Sequence, residues 1–80
     1  MTQRERYDNT FIETFSIEKK DLGDHLEYES ILEWDSIGHM AIIGMLEDTF
    51  DIVMDMSDII DFSSYSKGIE LLVEKYNLDL

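Results

Sequence analysis

Residues 34–40 read Trp-Asp-Ser-Ile-Gly-His-Met and place a serine where a helix is predicted to begin. Asp35, directly before that serine, belongs to the residue types that cap helix N-termini. Apolar residues then recur with the 3.6-residue period of an amphipathic helix. Those on its core face are Ile42, Ile43, Leu46 and Phe50, with Met40 at the border. The pattern predicts a helix over 36–50, with the hydroxyl of Ser36 exposed at its N-terminus.

An earlier helix is predicted near the start of the chain. Thr2 and Glu5 have the spacing of a capping box, which places the first helical residue near Gln3. Aromatic residues then recur every four positions, as expected for one buried stripe. These residues are Tyr7, Phe11 and Phe15.

Residues 16–35 form a long connection that contains Gly23 and has no clean period. A loop of this length in a small domain needs apolar anchors, because it has no regular structure to hold it in place. We expect the anchors to be Ile17, Leu22, Leu26, Tyr28, Ile31, Leu32 and Trp34.

Two further helices are predicted in the last third of the chain. Ser57 is a candidate N-cap for a short third helix that contains Ile59 and Ile60. Ser63 or Ser64 can cap a fourth helix. Its inward residues are predicted to be Tyr65, Ile69, Leu72, Val73 and Tyr76. The sequence therefore predicts an all-α, four-helix bundle with a long first loop and a short third helix.

Composition narrows the possible functions. Nineteen acidic residues against six basic ones give a formal charge of −13, which disfavours nucleic acid as a partner because phosphate backbones attract basic surfaces. The chain has no cysteine and no run of about 20 apolar residues that would span a membrane. We expect one domain over 1–80, a cytoplasmic monomer with no membrane partner.

We assign no metal site. The acids Asp51, Asp55, Asp58 and Asp61 lack the Asp-x-Asp-x-Asp-Gly pattern of an EF-hand loop. A solvated acidic surface is the better interpretation of these side chains.

The triplet Asp35-Ser36-Ile37 resembles the Asp-Ser-Leu-type attachment motif of the acyl carrier protein family. The similarity covers most of the chain, and the run over 30–40 is more like the free-standing carriers of specialised pathways than the housekeeping fatty-acid carrier. The other matching residues are Met40, Leu46, Glu47, Phe50, Ile59, Phe62, Ser63 and Ile69.

The resemblance implies a carrier that is not itself an enzyme. A phosphopantetheinyl transferase would attach 4′-phosphopantetheine from coenzyme A to Ser36, and Asp35 would cap the helix and help that transferase recognise the site. The arm would hold an acyl or aminoacyl group as a thioester for the enzymes that load and receive it. We expect Ile37 to contact partners and also to border the core.

The outer face of the second helix is predicted to meet partner enzymes. Housekeeping carriers are acidic there near the serine, whereas Gly38 and Ala41 stand at those positions here. We expect a small, partly apolar patch centred on Met45, with acids further along that steer partners. The predicted partner-binding residues are Gly38, Ala41, Met45, Glu47, Asp48 and Asp51. Glycine in a helix interior indicates a need for close approach, which packing within the bundle can also supply.

Other interpretations stay open at the level of sequence. A peptidyl carrier that receives an aminoacyl group usually has glycine-rich sequence before the serine, where this chain has Trp34 and Asp35. An acidic adaptor whose serine is never modified is a third possibility.

His39, three residues after Ser36, invites a hydrolase interpretation, but no oxyanion site or orienting partner is visible, and a structural histidine fits better. His25 is expected to face solvent. Met40, Ile43 and the first loop can line a cleft for an attached chain, although the same residues would otherwise be core.

Overall fold

Four helices and one short 3-10 turn make up the chain, which a computed structural model describes over residues 1–80. The helices are α1 (Gln3–Phe15), α2 (Ser36–Phe50), α3 (Met56–Asp61) and α4 (Tyr65–Tyr76), and the 3-10 turn spans Lys19–Asp21. None of the helices has both the length and the apolar character that crossing a membrane requires. The predicted all-α bundle is confirmed, as are its long first loop and its short third helix.

Two helix starts follow the predicted capping chemistry. Thr2 accepts from the backbone N–H of Glu5, whose carboxylate accepts from the N–H of Thr2, so the capping box of α1 is confirmed. At α4 the choice between two serines falls on Ser64, whose hydroxyl accepts from the N–H of Lys67. Each cap satisfies a backbone donor that the helix itself cannot pair.

The predicted start of α3 is wrong by two residues. Asp55, rather than Ser57, occupies the N-cap position, and its side chain makes no capping hydrogen bond. The backbone N–H of Asp55 instead donates to the hydroxyl of Tyr76 at 2.9 Å. A contact with α4 therefore fixes where α3 begins, and such a contact is invisible to a capping rule.

The core is centred on Phe11, whose ring packs against five other aromatic rings. Those neighbours are Tyr7, Phe15, Trp34, Phe62 and Tyr65. The predicted stripe of α1 is buried along its whole length. Each aromatic pair of this kind contributes about 0.5–1.5 kcal/mol to stability beyond the effect of the area it buries. The contacts of Phe11 and Phe15 with the ring of Trp34 therefore hold Trp34 firmly against α1.

The long connection is anchored at two points. Leu26 and Trp34 are fully buried, as predicted. Beside Leu26 the loop pairs with the start of α4, because Tyr28 N–H donates to the Ser63 carbonyl and Tyr65 N–H donates to the Leu26 carbonyl, both at 2.9 Å. These bonds explain how a stretch with little regular structure keeps one position.

Three of the predicted loop anchors and inward-facing residues are exposed instead. Tyr28 is 39% exposed, so it anchors the loop only in part. Leu32 is 93% exposed, because it lies in the turns that lead up to the buried Trp34. Val73 is 41% exposed, whereas its neighbours Leu71 and Leu72 are buried. The inner face of α4 is therefore rotated slightly from the one predicted.

The prediction that Asp58 lies on a solvated acidic surface is wrong, because this α3 residue is the one acidic residue buried in the fold, at 2% exposure. Its carboxylate accepts from Lys75 Nζ at 2.8 Å and from the Tyr76 hydroxyl at 2.7 Å, which ties α3 to α4. These two hydrogen bonds favour the charged form and lower the pKa of Asp58 below its ordinary value of 3.8. A carboxyl whose pKa is lower in the folded than in the unfolded chain stabilises the fold above the unfolded value, and that contribution is lost as the pH falls through the folded pKa.

We therefore predict that Asp58→Asn lowers the free energy of unfolding at neutral pH, and that the difference from the wild type narrows as the pH falls below about 3.8. Urea unfolding followed by far-UV circular dichroism at several pH values measures this difference. The matched control is Asp48→Asn, because Asp48 is exposed and makes no hydrogen bond through its side chain. A difference that does not vary with pH, or one that the control reproduces, would contradict the prediction.

Candidate functional site

Asp35 sets the start of α2. Its backbone is extended, and its carboxylate accepts from the N–H of Gly38 at 2.8 Å. Its carbonyl accepts from the N–H of His39 at 2.7 Å. The predicted capping role of Asp35 and the predicted bounds of α2 are both confirmed.

Ser36 is the first residue of α2, and its side chain is exposed. Its hydroxyl makes no hydrogen bond within the chain. Asp35 accepts from the backbone N–H groups of the third and fourth residues of the helix, Gly38 and His39. The N–H groups of the first two residues, Ser36 and Ile37, have no carbonyl partner within the helix. Free N–H groups and the helix dipole stabilise an anion there by about 0.3–1 kcal/mol. The site therefore fits a phosphodiester attached at the Ser36 oxygen.

Trp34 holds this helix start against the core. Its ring is fully buried, with ring-centroid distances of 5.4 Å to Phe15 and 5.6 Å to Phe11. Two residues later the chain is exposed at Ser36. The indole is anchored in the core and the next residue caps the helix, so the serine that follows both is left exposed to solvent.

Gly38 lies close to another part of the chain rather than on the open outer face predicted for it. A side-chain carbon at this position would overlap the backbone carbonyl of Glu33 and would press on the ring of Phe15. The close approach that the glycine indicated is therefore at least partly internal to the bundle. Gly44, the second glycine of α2, has open space around it.

Four other residues of the predicted outer face are exposed. Ile37 is 80% exposed, so the expectation that it also borders the core is wrong. Ala41 and Asp48 are exposed, and Met45 is 42% exposed on the same helix. All four are therefore accessible at the surface, and their role toward partners stays a prediction.

The two remaining acids of the predicted face also have structural roles. Glu47 is half-buried and accepts from the N–H of Met54 at 2.8 Å, which braces the connection after α2. Asp51 is exposed and ends α2 in the left-handed conformation, with a φ of 54°. Their role toward partners stays a prediction.

An apolar cleft of about 360 Å³ opens beside Ser36, between α2 and α3. Of the residues expected to line a cleft, Met40 does so, while Ile43 is buried in the core. The lining residues are Tyr28, Ser36, His39, Met40, Met56, Ile59, Ile60, Phe62 and Ser63. The serine hydroxyl thus lies at the edge of a space suited to an apolar group.

Several of these lining residues were not predicted to line a cleft, Met56 and Ile60 among them. Met56 and Ile60 are each 72% exposed on α3, one turn apart on the same side of that helix. The signal was their spacing of four residues, but placing the start of α3 at Ser57 hid it. Together with Ile37 and Met40 they make the surface around Ser36 apolar.

The histidines behave as predicted. His39 is hydrogen-bonded inside the chain, to Trp34 at 3.0 Å and to the Ile59 carbonyl at 2.8 Å, so neither ring nitrogen is free to act as a base on Ser36. His25 is exposed. No group of three or more side chains that could hold a metal ion is present.

Comparison with known proteins gives one match. The sequence model of a family described as the phosphopantetheine attachment site matches residues 9–72, which is well over half of the chain. A search of curated proteins found no significant match. A search of solved structures found none either.

The contrast between the two glycines of α2 gives a testable prediction. Gly38→Ala should lower the free energy of unfolding by about 1–3 kcal/mol, because the new methyl group meets a backbone carbonyl that cannot easily move. Gly44→Ala, the matched control, should raise it by about 0.5–1 kcal/mol, because alanine favours the helix and meets nothing. Urea unfolding measures both, and a neutral or stabilising Gly38→Ala would contradict the packing described here.

Proposed function

This chain belongs to the phosphopantetheine attachment-site family, and we propose that it is an acyl carrier protein whose arm is attached to Ser36. Members of the family hold 4′-phosphopantetheine covalently on a serine and act as carriers, not as catalysts. They work with a phosphopantetheinyl transferase and with acyl-handling enzymes. The choice of serine, the cargo and the docking surface are the proposed parts.

One observation carries the assignment of Ser36. Its hydroxyl is exposed, unpaired and placed at the N-terminus of α2, directly after the capping Asp35. The other serines lack this combination. Ser64 uses its hydroxyl to cap α4, and Ser66 and Ser30 make hydrogen bonds of their own. The remaining three are exposed, but none directly follows a residue whose side chain caps a helix: Ser16, Ser57 and Ser63. Ser36 also falls within the residues that the family model matches.

The transfer requires little of this chain beyond an accessible nucleophile. The Ser36 oxygen attacks the pantetheine-bearing phosphorus of coenzyme A, and adenosine 3′,5′-bisphosphate leaves. The hydroxyl proton passes to a base on the transferase, because no base of this chain bonds to the Ser36 hydroxyl. The free N–H groups at the start of α2 favour the phosphodiester that results. We propose that Asp35 and Ile37, on either side of the serine, are read by the transferase.

The cargo is proposed to be an acyl group. When bound, the arm supplies a terminal thiol that holds the cargo as a thioester. The cleft beside Ser36 is lined mainly by apolar side chains, which supports an apolar acyl cargo over a charged aminoacyl one. The sequence before the serine, Trp34 and Asp35 in place of glycines, supports the same choice.

The docking surface is proposed to be apolar near Ser36 and acidic further along α2. Ile37, Ala41 and Met45 are exposed on one helix, and Asp48 follows them. A partner with a small apolar patch and a basic rim would complement this arrangement, with the acids accelerating encounter and the apolar residues stabilising the complex. Such a surface suits dedicated partners better than enzymes that read an acidic helix.

We also propose that the protein works as a monomer in the cytoplasm. A formal charge of −13 makes copies of the chain repel one another. A chain without cysteine is compatible with a reducing compartment.

We predict that the wild-type chain, incubated with coenzyme A and a broad-range phosphopantetheinyl transferase, gains the mass of one phosphopantetheine. Ser36→Ala should gain nothing, because the nucleophilic oxygen is gone. Ser63→Ala is the matched control, since Ser63 lines the same cleft, and it should be modified like the wild type. Intact-mass spectrometry measures all three. An unmodified wild type would favour the acidic adaptor, and a modified Ser36→Ala would place the arm elsewhere.

A second prediction concerns the docking surface. Ala41→Glu should slow loading by the cognate acyl-loading enzyme by about tenfold, because a carboxylate would be desolvated in an apolar contact. Ala41→Gln has nearly the same size without the charge and should lose much less. The measurement is the steady-state rate at which the loading enzyme acylates each protein, with phosphopantetheine already attached to the wild type and to both variants. Equal rates for wild type and Ala41→Glu would remove the apolar docking surface from the account.

A further inference from the structure

His39 joins three parts of the fold through its two ring nitrogens. Trp34 Nε1 lies 3.0 Å from His39 Nδ1, and His39 Nε2 lies 2.8 Å from the Ile59 carbonyl oxygen. An indole nitrogen can only donate and a carbonyl can only accept. Nδ1 must therefore accept, and Nε2 carries the proton that it donates to Ile59. The two contacts are both satisfied only by the neutral ring protonated at Nε2.

The bond to Ile59 is the only hydrogen bond that joins α2 to α3. On its other side, α3 is held to α4 through Asp58, which Lys75 and Tyr76 bind. A helix of six residues has little stability of its own, so its position depends on such links. The adjacent residues Asp58 and Ile59 thus tie α3 to two different helices, α4 and α2.

The same bond joins two residues that line the cleft beside Ser36. Both His39 and Ile59 line that cleft, and the rings of Tyr28 and Phe62 lie 5.5 and 6.3 Å from the imidazole. The donor and acceptor are therefore shielded by apolar groups, where a lost hydrogen bond leaves a polar group that water replaces poorly. Because α2 and α3 each contribute residues to its lining, the spacing of these two helices affects the width of the cleft.

We infer that His39 is a positioning residue that fixes α3 against α2 through Ile59 and thereby sets the width of the cleft next to Ser36. Trp34 orients the imidazole for this purpose by occupying Nδ1. We call this hydrogen bond between His39 and Ile59 the latch, and it is a property of the unmodified chain. Its consequence for an attached acyl group rests on the proposed function.

Two substitutions separate the two bonds of His39. The amide of glutamine reaches about as far from the backbone as Nε2, so His39→Gln can still donate to the Ile59 carbonyl. The shorter side chain of asparagine reaches about as far as Nδ1, so His39→Asn can still accept from Trp34 but leaves Ile59 unbound. A latch on α3 predicts that only the second variant releases that helix.

The test is amide hydrogen exchange followed by NMR on the unmodified, full-length chain, for the wild type and both variants. We expect His39→Asn to speed exchange at the amides of Ile59 in α3 and of Phe62, which follows the helix and donates to Asp58. The increase should be about fivefold to tenfold relative to amides of α1 and α4, as loss of one net hydrogen bond implies. His39→Gln should stay within about twofold of the wild type. Unchanged α3 exchange in His39→Asn would overturn the inference, as would equal acceleration in both variants or throughout the chain.

A second measurement needs no variant. The ¹⁵N shifts of the His39 ring in the wild type should show a neutral imidazole protonated at Nε2, with a coupling across the bond to the Ile59 carbonyl. A proton on Nδ1 would overturn the inference even if His39→Asn fails to fold. Both measurements use the chain without its arm, so a failure of phosphopantetheine attachment at Ser36 leaves their result intact, and a failure of the latch leaves the attachment untouched.

Discussion

The fold and its exposed serine both depend on the burial of Trp34 against the aromatic residues of α1. The indole fixes the end of the long connection to the core, with Phe11 and Phe15 as its neighbours. The next residue, Asp35, begins α2 by capping it. Because the buried residue and the cap are adjacent, the chain has no freedom to shift the helix start along the sequence. The hydroxyl of Ser36 is exposed as a direct consequence of what the two residues before it do.

The parts of the fold that local chemistry determines could be predicted from the sequence. Thr2 and Asp35 cap their helices with side chains that act within three residues, and the stripe of α1 follows from a simple period. The parts that depend on distant contacts could not. The start of α3 is set by a bond to Tyr76, 21 residues from Asp55. At Gly38 the glycine itself indicated a close approach, but not that the neighbour is the backbone of Glu33. In neither case does a local pattern of residue types identify the partner.

The surface of the protein combines exposed apolar side chains near Ser36 with a large excess of acidic residues. Near Ser36 several large apolar side chains are exposed: Ile37, Met40, Met56 and Ile60. An apolar patch invites non-specific association, which the net charge of −13 opposes. Stability comes from the opposite side of α2, where Ile42, Ile43 and Leu46 are fully buried. One helix thus serves both the core and the surface on which a carrier depends.

The central claim is that the serine at the tip of α2 is the one that carries the arm. Fragmentation of the modified, full-length chain by tandem mass spectrometry tests it most directly, because fragment masses assign the added group to a residue without any substitution. Every fragment that bears phosphopantetheine should contain Ser36, and N-terminal fragments that end before Ser36 should be unmodified. Phosphopantetheine found on Ser57, Ser63 or any other serine would contradict it.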